Sequence, residues 1–161
     1  MRHLLLFAFV MAVAACSTID CPVQNKVAVN YSIKTYSNGV EIADTLKDTL
    51  FVWSTRSDNE DTLILNRAYD KRSFSLPISY THPEDKLVFC ILKANNVATI
   101  DTVWLKKEDI PHFESVDCSA HFFHTLTDVR STHIGIDTIF IKNPSVTYDP
   151  SADHIHIHFK K

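Results

Sequence analysis

The stretch Asp153–Lys161 reads DHIHIHFKK, in which His154, His156 and His158 alternate with Ile155 and Ile157. In a strand, residues two apart share a face and lie about 6.6–6.8 Å apart along the chain. His154 and His156 can therefore reach one divalent ion, as can His156 and His158; the outer pair, about 13 Å apart, cannot. A zinc or copper centre would need a further ligand from another element. His121, His124, His133 and Asp153 are the candidates. The plainer reading is an amphipathic strand with Ile155, Ile157 and Phe159 on its apolar face and the three histidines with Lys160 on the other. Such a polar face suits a sheet edge, where it discourages pairing with other molecules. The strand is the reading taken here, with His154 and His156 as the fallback metal pair.

Other reactive sets are scarce. The chain holds no HExxH, no nucleophile-elbow pattern and no cysteines at zinc spacing. Gly39 and Gly135 are its only glycines, so a phosphate-cradling glycine loop cannot be built. A triad is a matter of geometry rather than composition, and histidines and serines alone do not make one. The expectation is a protein that is not an enzyme and needs no cofactor. Trp53 and Trp104 lie in alternating stretches and read as core side chains rather than a sugar-stacking platform. Asp-Thr-aliphatic recurs at Asp44, Asp48, Asp61, Asp101 and Asp137. Its irregular spacing resembles no calcium loop. Asp favours the turn and Thr the strand, so the repeat marks strand starts.

The elements that must position these residues are strands almost throughout. Val27, Val29, Tyr31, Ile33 and Thr35 alternate with mostly polar residues, giving one buried face and one wet face. Asn38-Gly39 follows, the strongest short hairpin signal because both residues tolerate positive φ. Thr49–Arg56 and Thr62–Ala68 flank the polar turn SDNED, and Asn95-Asn96 joins two later strands. Pro77, between Leu76 and Ile78, lacks a ladder donor and marks an edge strand or a bulge. Cys90, within LVFCIL, reads as a small buried hydrophobe. Only Ser119–Arg130 reads as a short helix. The pattern predicts an all-β fold, an antiparallel β-sandwich of immunoglobulin-like or related Greek-key type.

The front of the chain, MRHLLLFAFVMAVAAC, has a basic start, an apolar run from Leu4 to Val13 and small residues before Cys16. This is the layout of an export signal, and the run is well short of the roughly 20 residues a membrane-spanning helix needs. Val13-Ala14-Ala15-Cys16 is similar to a bacterial lipobox, which implies that Cys16 is lipidated and becomes the first residue of the mature protein. Residues 1–15 are then signal, 16–26 a lipidated tether and 27–161 a single β-sandwich domain. Without Arg2 the chain has 15 basic residues against 19 acidic ones. It therefore carries no basic footprint for nucleic acid. Of the remaining cysteines, Cys21 and Cys118 both follow Asp in turn-like surroundings and are expected to pair in the oxidising envelope.

DCPVQN, LNRA, SFSLPISY, PHFESVDCSAHFFHTLTDV and IKNPSVTYD together resemble a family of small uncharacterised lipoproteins from Bacteroidota. The resemblance implies an outer-membrane lipoprotein domain of β type and brings no activity or catalytic residues. By analogy with other lipoproteins, Ser17 after Cys16 permits sorting to the outer membrane. The single acid Asp20 before Cys21 favours the periplasm-facing side over the cell surface. The function expected is non-catalytic: an accessory or interaction module for an outer-membrane β-barrel or another envelope protein. The loop around Pro111–Arg130 is its expected contact. The alternative is a ligand-binding module for a divalent metal or a carbohydrate.

Overall fold

The computed structural model describes residues 27–55, 61–113, 115, 118 and 121–161. Alternation of apolar and polar residues resolves them into eleven strands: β1 (Ala28–Ser37), β2 (Val40–Ala43), β3 (Thr49–Thr55), β4 (Asp61–Ala68), β5 (Ser73–Pro77), β6 (Glu84–Leu92), β7 (Ala98–His112), β8 (His121–Ser131), β9 (Ile136–Ile141), β10 (Ser145–Val146) and β11 (Ile155–Phe159). One sheet has the order β2-β1-β11-β9, with β5 also beside β1; the other runs β10-β8-β7-β6-β3-β4. Their apolar faces meet, so the expected all-β sandwich is what forms. Tyr31 stacks on Phe74 at 4.9 Å between ring centroids, and Phe89 of the opposing sheet lies 6.2 Å from each. Val29, Leu50, Val52, Val103, Leu105, Ile155 and Ile157 complete the sealed interior.

Local signals behave as their chemistry dictates. Asn38 and Gly39 turn the β1–β2 hairpin with φ of 52° and 77°. Asn96, at φ 62°, closes the β6–β7 turn. Pro77 ends β5, an edge strand.

Four expectations are overturned. First, β11 is not an edge strand: it lies between β1 and β9, and its pairing with β1 is parallel, with Tyr31 opposite Ile155 and Ile33 opposite Ile157. Secondly, the segment expected to be a helix is β8, because its β-branched and aromatic residues find a partner in β7 from His112–His121 to Val103–Ser131. The contact loop expected around Pro111–Arg130 is accordingly mostly the two strands of a hairpin. Thirdly, Trp53 and Trp104 are half-buried on the outer face of the six-stranded sheet. Phe51 stacks on Trp53 at 5.9 Å, and the Arg130 guanidinium covers Trp104 at 4.7 Å. Fourthly, Cys90 shares that outer face, half-buried, opposite Phe51 and Ile100.

The Asp-Thr repeat separates into two kinds. β3 starts at Thr49 and β4 at Asp61, as expected of strand starts. Asp101 instead lies inside β7, on the inward parity of Val103 and Leu105, and is completely buried. Its carboxylate accepts four hydrogen bonds, from the Thr132 hydroxyl (2.7 Å) and the N–H groups of Ile134 (2.7 Å), Gly135 (2.6 Å) and Ile136 (2.9 Å). These hold the β8–β9 turn against the sheet. A Cβ on Gly135 would lie 2.8 Å from Thr99 Cγ2 and 2.9 Å from Ile91 Cδ1, so those side chains would have to shift to admit one. Burial pushes the Asp101 carboxyl up, but the four donors outweigh it and hold the group below the usual carboxylate range.

Asp101→Asn leaves one acceptor oxygen for four donors and orphans two of them. The expected loss is about 2–4 kcal/mol at neutral pH, read from the urea midpoint. A depressed folded value means stability present above the ordinary carboxylate range, near pH 4, and lost as pH falls through the folded value. Acid titrations of unfolding should show that component in the wild type and lack it in the variant.

Candidate functional site

Once Ile155 and Ile157 point into the core, His154, His156 and His158 must point to the outer face of the five-stranded sheet. They are nonetheless 0 %, 4 % and 3 % exposed. Each is sealed by a partner. His154 Nδ1 accepts the Asn30 N–H at 2.9 Å, while the Asn30 amide donates to the Ala152 carbonyl at 2.8 Å and the Pro150 carbonyl at 3.1 Å, drawing the preceding segment over the ring. A ring nitrogen that accepts carries no proton, so this imidazole is neutral. Burial pushes its pKa down, against the Ser145 backbone and the negative Asp153 and Asp149.

His156 is the opposite case. Its Nδ1 lies 2.7 Å from Glu41 Oε2 and its Nε2 2.8 Å from Asp153 Oδ2. His158 Nε2 meets the other oxygen of Glu41 at 2.8 Å. Tyr36 stacks on His158 at 4.8 Å, and Phe140 presents its ring at 5.3 Å from His156. Burial raises the pKa of both carboxyls. For Glu41 the bonds from His158 and His156 win, and for Asp153 those from Ser32 and His156 win, with Lys34 adding its charge, so both sit below the usual range. An ionised carboxylate only accepts. A ring with both nitrogens at hydrogen-bond distance from ionised carboxylates can satisfy both contacts only by donating from both.

The result is a line: Asp153, His156, Glu41, His158. The two ring nitrogens of His156 point away from each other, so Glu41 and Asp153 cannot join it on one ion. Among the described residues, no three His, Cys, Asp or Glu side chains are disposed to hold a metal. The other ligand candidates are engaged elsewhere. His124 bonds Asp109 at 2.6 Å, His133 the Asp137 carbonyl at 3.0 Å, and His121 lies edge-on to Tyr148.

A second polar group is internal and was not anticipated. Lys107 follows the inward parity of β7, and its side chain is fully buried. Its ammonium donates to the His82 carbonyl at 2.6 Å and to Asp109 at 3.0 Å, and Asp109 also receives His124. Burial lowers the His124 pKa despite Asp109. Nearby, Asp85 accepts the Ser79 N–H at 3.1 Å, and burial, with the Asp85 charge, raises the Tyr31 hydroxyl far above its ordinary value. The signal was present: in Asp101, Val103, Leu105, Lys107 and Asp109, every second residue faces inward.

Cys16 and Cys21 lie outside the described residues, and so does any bond between Cys21 and the buried Cys118.

Residues 49–159 match a family of unknown function (DUF6452). Four of the five segments that carry the sequence resemblance lie within those bounds; DCPVQN precedes them. No curated protein and no solved structure matches the chain.

His154 and His124 have folded pKa values lowered below their unfolded ones, so as pH falls the unfolded chain takes up protons first. Their contribution is complete above the unfolded value near 6.5 and is lost as pH drops towards the folded values. Urea midpoints at about pH 7.5 and about pH 5.5 should therefore differ less in His154→Gln, which keeps an acceptor for Asn30, than in the wild type.

Proposed function

The chain belongs to this family of unknown function, and we propose that it is a non-catalytic, lipid-anchored envelope protein that docks on an outer-membrane β-barrel. The observation that carries this reading is the shape of the β7–β8 hairpin. β6 stops pairing with β7 at Glu84–Lys106, yet β7 continues to His112 alongside β8. The continuation is an arm bearing exposed apolar side chains. Phe113 is 66 % exposed and Ile110 49 %, and Tyr80, 65 % exposed, stacks flat on Phe122 of β8 at 5.5 Å. A second group, His112, Phe123 and Tyr148, packs ring to ring along the same arm. Aromatic rings on a rigid support present contact area at low entropic cost, and they are enriched at interface centres.

Lys107 takes the Pro83 carbonyl on the open edge of the arm, and two residues further on each time come Asp109 and Pro111. Pro111 has no N–H to offer there, which blunts strand addition and favours contact through side chains. Lipidation of Cys16 would hold the domain at the membrane and raise the effective concentration of any partner there. A Cys21–Cys118 disulfide would bring the tether to the connection between β7 and β8. The arm would then lie within a few residues' length of the lipid, on the periplasmic side.

A carbohydrate is the second reading, favoured by the outward rings of Phe51 and Trp53, which stack at 5.9 Å on the outer face of the six-stranded sheet. Placing a photo-crosslinking side chain at Phe113, Trp53 or Ile100 in intact cells separates the two readings. The interaction reading expects one heat-modifiable outer-membrane protein joined through position 113, lost about tenfold or more in Tyr80→Ser, the loss of a typical interface anchor. Equal yields from positions 113 and 100 would sink it. Cell-wall glycan recovered through position 53 alone would establish the carbohydrate reading instead.

A further inference from the structure

Glu41 belongs to β2, the outermost strand of its sheet. Its neighbours Val40 and Ile42 are 62 % and 44 % exposed. The Glu41 carboxylate nevertheless crosses β1 and meets two rings on β11, one on each oxygen. Tyr36, opposite Glu41 in the hairpin ladder, covers the second ring. The β1–β2 hairpin is thus tied to the C-terminal strand by one side chain and one stacked ring, over and above its backbone ladder.

The tie depends on a proton. With the Nδ1 proton removed, a lone pair of His156 would face Glu41 Oε2 at 2.7 Å, and that contact must open. The surrounding charges are few and come from every packed element. Glu41 approaches from β2 and Asp153 from the segment before β11, while Lys34 of β1 stands 3.9 Å from Asp153. At the His158 end, Tyr36, Asp137, Lys160 and Lys161 line one open cavity of about 350 Å³ with that ring. β9 contributes only the Phe140 ring against His156.

We propose that the Asp153–His156–Glu41–His158 chain is a proton-operated latch on the β1–β2 hairpin, closed while His156 carries both ring protons and opened when it loses the Nδ1 proton that faces Glu41. Glu41 keeps a single donor, His158, in the open state, and beyond its ladder β2 is then held by that one bond instead of two. Because Val40, Ile42 and Ala43 are exposed on that strand, opening changes the apolar outline of this sheet edge while leaving the core intact.

Amide hydrogen exchange followed by NMR tests the latch on the whole chain, from about pH 6 to about pH 9, which spans the ordinary histidine range. After correction for intrinsic exchange, protection across Lys34–Ala43 should fall by about tenfold as pH rises, the scale of one charge-assisted hydrogen bond. The β6–β7 amides should not follow. In Glu41→Gln, protection of the hairpin should be low at every pH, while β6–β7 protection verifies that the variant is folded. Hairpin protection that is flat in the wild type, or that falls alike in both proteins, overturns the latch. A second reading needs no variant. With ¹⁵N-labelled histidine, both His156 nitrogens should be in the protonated range at the acid end and Nδ1 should leave it as protection falls. A neutral tautomer throughout overturns the proposal.

Discussion

The two-residue period of β11 is the constraint on which the rest of this molecule depends. Ile155 and Ile157 are needed inside, each opposite a buried residue of β1, and the pleat leaves no freedom over where the intervening histidines go. An unpartnered imidazole under a sealed surface would be costly, and an unpaired imidazolium more so. The surroundings of β11 answer that demand residue by residue. A backbone N–H faces His154, a carboxylate faces each nitrogen of His156, and a shared carboxylate and a stacked ring meet His158. Those partners come from β1, β2 and the segment before β11, so satisfying the histidines also fixes how these elements assemble.

The same economy recurs at Asp101 and Lys107. Both occupy inward positions of β7 that an apolar residue would fill at no electrostatic cost. Each is retained with its hydrogen bonds made, and each restrains something irregular. Asp101 gathers three consecutive N–H groups of the β8–β9 turn; Lys107 donates to the carbonyl of His82, just before Pro83 and β6. Such groups contribute modestly to stability when satisfied and destabilise strongly when one partner is removed, so they specify one arrangement more than they strengthen it. The sandwich therefore has an apolar middle, with polar locks where its loops attach.

Much of this was legible before any coordinates. Alternation located most strands, Asn38-Gly39 located the first hairpin, and Pro77 marked an edge, because each rests on a rule local to a few residues. What failed needed the partner strand. β8 carries a pattern that one strand or one helix can satisfy, and only its register with β7 decides between them. Trp53 and Trp104 alternate properly, but alternation does not say which parity is inside. The histidines of β11 were read as wet because histidine is polar, whereas their exposure is decided by Glu41, more than a hundred residues away in sequence. The line of carboxylates and imidazoles was invisible for that reason. Asp153 alone was near enough to be named.

The parallel union of β1 with β11 also governs when the domain can exist at all. Asn30 and His154, bonded to each other, are 124 residues apart in the chain. Contacts of such separation form slowly, after the entropy of closing a long loop has been met. The five-stranded sheet cannot place a strand between β1 and β9 until β11 has emerged. During synthesis β1 has its hairpin partner but not the neighbour that seals its other side. A chain built this way keeps that flank of β1 open until β11 is available, so the slowest step of its assembly is set by topology rather than by any local signal.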